Sequence, residues 1–73
     1  MALKTRRTIL SQDGERKVEI FQRQDGTFGF EEYFFDAEEK VWCPRTRGAQ
    51  VMDTLERAVF EAFERISWLR AES

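Results

Sequence analysis

Few residues of this chain could do covalent chemistry, and none has the neighbours that such chemistry needs. The nucleophiles are Cys43, Ser11, Ser67 and Ser73, but the 73 residues include no histidine, so the usual general base is missing. Cys43 stands before Pro44 and reads as a small buried hydrophobe rather than a reactive thiol. A lone cysteine closes no internal disulfide, and without histidine it is one zinc ligand where about four are needed. Carboxylates crowd the stretch from Glu31 to Glu39, but without the alternating Asp/Asn ligands and glycine of a calcium loop, so they read as a solvated turn. Gly26-Thr27-Phe28-Gly29 has the spacing of a hairpin, not of a phosphate-cradling loop. The expectation is a non-enzymatic protein with no catalytic residue, no metal and no cofactor.

Binding is better supplied, because aromatic residues make up 14% of the chain and seven of them are phenylalanine. Which of them share a surface depends on the elements that carry them. Asp13-Gly14 and Asp25-Gly26 are the dipeptides that tight hairpins favour. They divide the first half into expected strands over 7–12, 16–22, 27–35 and 41–43, with a longer polar turn from Asp36 to Lys40. At the second hairpin a two-residue turn would set Ile20 opposite Glu31. A three-residue loop, Gln24-Asp25-Gly26 with its glycine in the left-handed region, sets Ile20 opposite Phe30 and Gln22 opposite Phe28. The second register is the better one, because it gathers Val18, Ile20, Phe28, Phe30 and Phe34 on one face. Ile9 joins them if Asp13-Gly14 is a two-residue turn. Glu32 is the misfit on that face. The opposite face receives Lys17, Glu19, Phe21, Arg23, Gly29, Glu31, Tyr33 and Phe35, with Phe21 across from Gly29.

Pro44 ends the strands, and a loop through Arg45 and Arg47 leads to Asp53-Thr54-Leu55-Glu56, which reads as a helix start with Asp53 as N-cap and Glu56 closing a capping box. No glycine or proline interrupts the stretch from Thr54 to about Arg70, so one continuous helix is expected. Leu55, Ala58, Val59, Ala62, Phe63, Ile66 and Leu69 form its apolar stripe, and Glu61 and Arg65 can pair on its polar side. At about 100° per residue, Phe60 and Trp68 fall among the polar residues, away from that stripe. The fold class is therefore α+β: an antiparallel three- or four-stranded β-meander packed against one C-terminal α-helix, in a single domain over 1–73 whose residues 1–6 are expected to be flexible.

The net charge of −2 is unevenly spread. Residues 1–23 carry six basic and three acidic side chains, residues 24–44 one basic and six acidic, and the remainder is balanced. The acidic middle is not the footprint of a nucleic-acid binder. The first seven residues carry charge with no apolar run behind them, and no stretch is long and apolar enough to span a membrane, so a cytoplasmic protein with no membrane partner is expected.

Two resemblances cover parts of the chain. The run Val18-Glu19-Ile20-Phe21-Gln22-Arg23-Gln24-Asp25-Gly26-Thr27-Phe28-Gly29-Phe30, then Trp42-Cys43-Pro44-Arg45 and Asp53-Thr54-Leu55-Glu56-Arg57-Ala58, is similar to short bacterial proteins with a β-sheet followed by one helix, which imply no function. The hairpin, third strand and helix start also resemble the N-terminal half of HicB-type antitoxin domains, which would imply a protein-neutralising role. The chain departs from that pattern in having Cys43-Pro44-Arg45-Thr46-Arg47-Gly48 before the helix. The expected activity is protein–protein interaction or self-association, through Phe21, Tyr33, Phe35, Phe60 and Trp68. The alternative is nucleic-acid binding, with Lys17, Arg23, Arg45 and Arg47 as contacts.

Overall fold

A computed structural model describes residues 3–45 and 50–72; Arg47 and Ser73 lie outside the described residues. Four strands, β1 (Lys4–Leu10), β2 (Arg16–Gln22), β3 (Phe28–Asp36) and β4 (Val41–Pro44), form one antiparallel sheet in chain order. Two helices follow, α1 (Leu55–Arg65) and α2 (Ser67–Glu72). Neither is long and apolar enough to cross a membrane.

The turns set the registers. Around Gln24-Asp25-Gly26, the Arg23 amide donates to the Thr27 carbonyl at 2.8 Å and the Gly26 amide to the Arg23 carbonyl at 3.0 Å. Gly26 takes φ +90°, so this is the three-residue loop that the burial pattern predicts, with Ile20 opposite Phe30 and Gln22 opposite Phe28. Asp25 Oδ1 accepts from the Thr27 hydroxyl and amide, which hold its carboxyl below the ordinary aspartate value. The first turn is not the expected two-residue one. Only Gly14 of its pair has positive φ, and the Ser11 amide closes a four-residue loop onto the Arg16 carbonyl at 2.9 Å. Both loop lengths place Ile9 opposite Val18, so the correction leaves the register intact. In the third turn, Asp36 Oδ1 accepts from the amides of Glu38 and Glu39 at 3.0 and 3.2 Å, and Lys40 turns the chain with φ 59°.

β1 starts at Lys4, inside the stretch expected to be flexible, and Lys4 pairs with Gln22. A bulge at Arg6 interrupts this pairing. After β4 the chain returns along the remaining edge of β3, where Met52 and Phe28 exchange both amide bonds at 2.8 and 2.9 Å. This bridge keeps the backbone extended one residue longer than the capping-box pattern implies. The N-cap is accordingly Thr54, not Asp53, and its hydroxyl accepts from the Arg57 amide at 3.1 Å. Glu56 remains in the first turn, where a negative charge suits the helix dipole.

The expected single helix is two. Ile66 is extended, with φ −108° and ψ 106°, although its amide still donates to the Ala62 carbonyl at 2.9 Å. One non-helical residue resets the rotational phase of everything after it. Trp68, which a continuous helix places on the polar side, is instead buried in the core. Its indole Nε1 donates to Glu32 Oε2 at 3.0 Å. Burying a tryptophan removes on the order of 200 Å² from water, about 5 kcal/mol at 25 cal/mol/Å², whereas each helix hydrogen bond lost at the break costs about 1 kcal/mol. The burial wins.

The core is Val18, Ile20, Phe30, Met52, Ala58, Ala62, Ile66, Trp68 and Leu69, with Ile9, Phe28, Leu55, Val59 and Phe63 packed against it. Phe34, expected among them, lies on the correct face but beyond the reach of the helices, and 41% of it is exposed. Phe30 is fully enclosed while Phe63 is only half-buried. Phe30→Ala should therefore cost about 3–5 kcal/mol and unfold much of the protein at room temperature. Phe63→Ala should cost clearly less. Urea melts of the two variants check this order.

Candidate functional site

On the face of the sheet away from the helices, strand alternation places Lys17 and Glu19 of β2, Glu31, Tyr33 and Phe35 of β3, and Trp42 of β4. The pairings Lys17–Tyr33 and Phe35–Trp42 bring the aromatic rings together. Phe35 and Trp42 meet edge to face, with centroids 5.3 Å apart at 64°. Lys17 Nζ lies 4.6 Å from the Trp42 ring and 5.3 Å from the Tyr33 ring. It also pairs with Glu19 Oε2 at 3.0 Å. The ammonium is thus held by two π-faces and one carboxylate, which fixes the rings as firmly as it fixes the cation. The Tyr33 hydroxyl donates to Glu31 Oε1 at 3.0 Å. Burial first, then that hydrogen bond and the charges of Glu31 and Glu19, push the phenol from 10.0 up to about 12.

Of the residues singled out in the sequence, Tyr33 and Phe35 come together here, half-buried beside Lys17. Phe21 also lies on this face but is only 6% exposed, because it lies over the bare backbone of Gly29 under the Arg23 guanidinium, 5.0 Å from its ring. Arg23 is bound to its own chain, donating to the carbonyls of Gln50 at 2.8 Å and Phe28 at 3.3 Å. Neither Lys17 nor Arg23 projects an open cation toward a phosphate. Trp68 leaves the surface for the core, and Phe60 alone stays outside on α1, 52% exposed with the Arg57 guanidinium 5.3 Å from its ring. Arg45 lines a cleft on the helix side of the sheet and does not join Lys17 and Arg23.

Trp42 is the member of this site that the sequence reading missed. The signal was available: with a four-residue loop after Asp36, Trp42 falls opposite Phe35 and on the same face. Among the described residues, no group of three acidic, cysteine or histidine side chains could hold a metal ion. What the face offers is an aromatic panel in which Lys17 is paired with Glu19 and Glu31 accepts from Tyr33. No protein-family model matches the chain, and no curated protein or solved structure matches it.

Two measurements probe this arrangement. Tyr33 is the single tyrosine, so tyrosinate absorbance reports it directly. The folded protein should titrate near pH 12 and the urea-unfolded chain near 10. Below that window the phenol is neutral in both states. Within it only the unfolded chain ionises, so stability should fall as pH rises from about 10 toward 12. Glu31→Gln should lower the folded midpoint. Second, a Cβ at Gly29 would lie 2.9 Å from Phe21 Cζ and 3.0 Å from the Gln50 carbonyl oxygen. Gly29→Ala should therefore destabilise by about 1–3 kcal/mol, read by thermal melting.

Proposed function

We propose that this is a non-catalytic protein that works by binding protein through the aromatic outer face of its sheet, first of all a second copy of itself. The observation that supports this reading is the Tyr33–Phe35–Trp42 panel on a face that no helix covers. An antiparallel sheet with one face on a core ordinarily turns polar side chains outward along the other. Here three outward positions on adjacent strands carry large rings, held by strand register and by Lys17. Aromatic anchors of low conformational freedom are the side chains that dominate protein interfaces.

Size favours the same reading. The molecule is a slab of 36 by 29 by 16 Å, so its broad face exceeds the roughly 800 Å² per partner of a standard interface. A short chain whose single cysteine closes no internal disulfide also gains much from added burial. Because Lys17 is paired with Glu19 before any partner arrives, docking over it buries no lone ammonium, and Glu31 keeps the Tyr33 hydroxyl as donor.

Sedimentation equilibrium combined with concentration-dependent amide shifts tests the reading. The protein should self-associate, with the largest shifts at Tyr33, Phe35 and Trp42. Trp42→Ala should weaken association at least tenfold while leaving the fold intact, and Phe60→Glu should leave it unchanged. A species that stays monomeric with concentration-independent shifts overturns self-association.

A further inference from the structure

The opposite side of the sheet holds a cleft of about 250 Å³, where the ends of β2 and β4 meet the break between α1 and α2. Three arginines from three separate elements line it: Arg16 at the start of β2, Arg45 just after β4 and Arg65 at the end of α1, together with Glu32, Ser67 and Trp68. We propose that this cleft is a binding site for a phosphoryl-type dianion. It is independent of the outer face and of the function proposed for it.

The argument is one of charge, shape and size. Three arginines and one carboxylate line the cleft, and that carboxylate, Glu32, accepts from the Trp68 indole. Arg65 is 3.4 Å from Glu61, but Glu61 is shared with Arg57 at 2.9 Å, so it offsets only part of the charge on Arg65. Arg16 lies within the field of Asp13, whose carboxylate is committed to the Ser11 hydroxyl and the Glu15 amide. The lining thus keeps an excess of positive charge that favours an oxyanion, and several guanidinium groups around one cleft suit the three oxygens of a phosphoryl group better than the two of a carboxylate. Planar guanidinium forks donate two parallel hydrogen bonds to an oxyanion, and Ser67 adds a hydroxyl to the lining. The volume falls below that of a pocket for a drug-sized molecule and suits a phosphate with a small organic group.

The helix break supplies one wall of the cleft. A continuous helix through Ile66 would carry Ser67 and Trp68 elsewhere, removing two of its lining residues. Nothing in the local sequence joins these three arginines; the fold does.

Amide and arginine Nε–H resonances of the whole protein, titrated at constant ionic strength, test the proposal. The probes are inorganic phosphate at pH 8, sodium sulfate, phenyl phosphate and sodium acetate. Phosphate and sulfate should shift Arg16, Arg45, Arg65 and the Trp68 indole together, and acetate should bind at least tenfold more weakly. Tighter binding of phenyl phosphate assigns the cleft to a phosphorylated organic ligand, and equal binding to the free ion. Arg45→Gln and Arg16→Gln should each weaken phosphate by about tenfold with unchanged spectral dispersion, the loss expected for one charge-assisted contact. Arg7→Gln, on β1, should change nothing. Acetate binding as well as phosphate, shifts spread equally over Lys4, Arg6 and Arg7, or arginine variants that bind like the parent would each overturn it.

Discussion

A carboxylate on the covered side of a small sheet must be given a donor, and Glu32 receives one from the Trp68 indole at 3.0 Å. Much of the architecture depends on that contact. Glu32 is a charged residue between Phe30 and Phe34 on the inner side of β3, and Trp68 is a large ring in a polar stretch of helix. Each is anomalous alone, and together they satisfy one another. Bringing the indole to the carboxylate requires the chain to leave helical geometry at Ile66, whose β-branched side chain tolerates extended backbone and stays buried there. The direction of α2 and the closure of the core by Leu69 follow from it.

The second constraint is the loop at Gln24-Asp25-Gly26. Strand side chains alternate, so a shift of one residue would exchange the two faces of β3. Phe30 would leave the core, and Tyr33 and Phe35 would leave the outer panel to lie under the helices. Gly26 at φ +90° thus determines the burial of the inner face and the composition of the outer one at once. The Asp25 carboxylate, tied to Thr27, holds the same turn from its other side.

These constraints explain what could be read from the sequence. The hairpin register, the outward placement of Tyr33 and Phe35 and the exposure of Phe60 all follow from local periods and turn chemistry, and all were legible. The N-cap was misplaced by one residue because the bridge between Met52 and Phe28 is tertiary and has no local signature. The break at Ile66 was invisible for the same reason. No glycine or proline marks it, and the contact it permits, from Trp68 to Glu32, spans 36 residues. The arginine cleft joins three separate elements, so no local pattern brings Arg16, Arg45 and Arg65 together. Phe34 was assigned to the core by correct parity and misjudged because parity says nothing of how far a helix reaches.

The borders of the sheet govern how such molecules can accumulate. An open sheet tends to grow sideways, strand upon strand, into ribbons without limit. Here the β1 border presents Lys4, Arg6 and Arg7 with a bulge at Arg6, and β4, only four residues long, ends in Pro44, which has no amide to donate. Both borders resist templating, so lateral growth is blocked while the broad outer surface stays open. Under the self-association proposed above, stacking face to face would consume that surface in one step and leave nothing to propagate. The edges themselves are built against the lateral pairing from which fibrils grow.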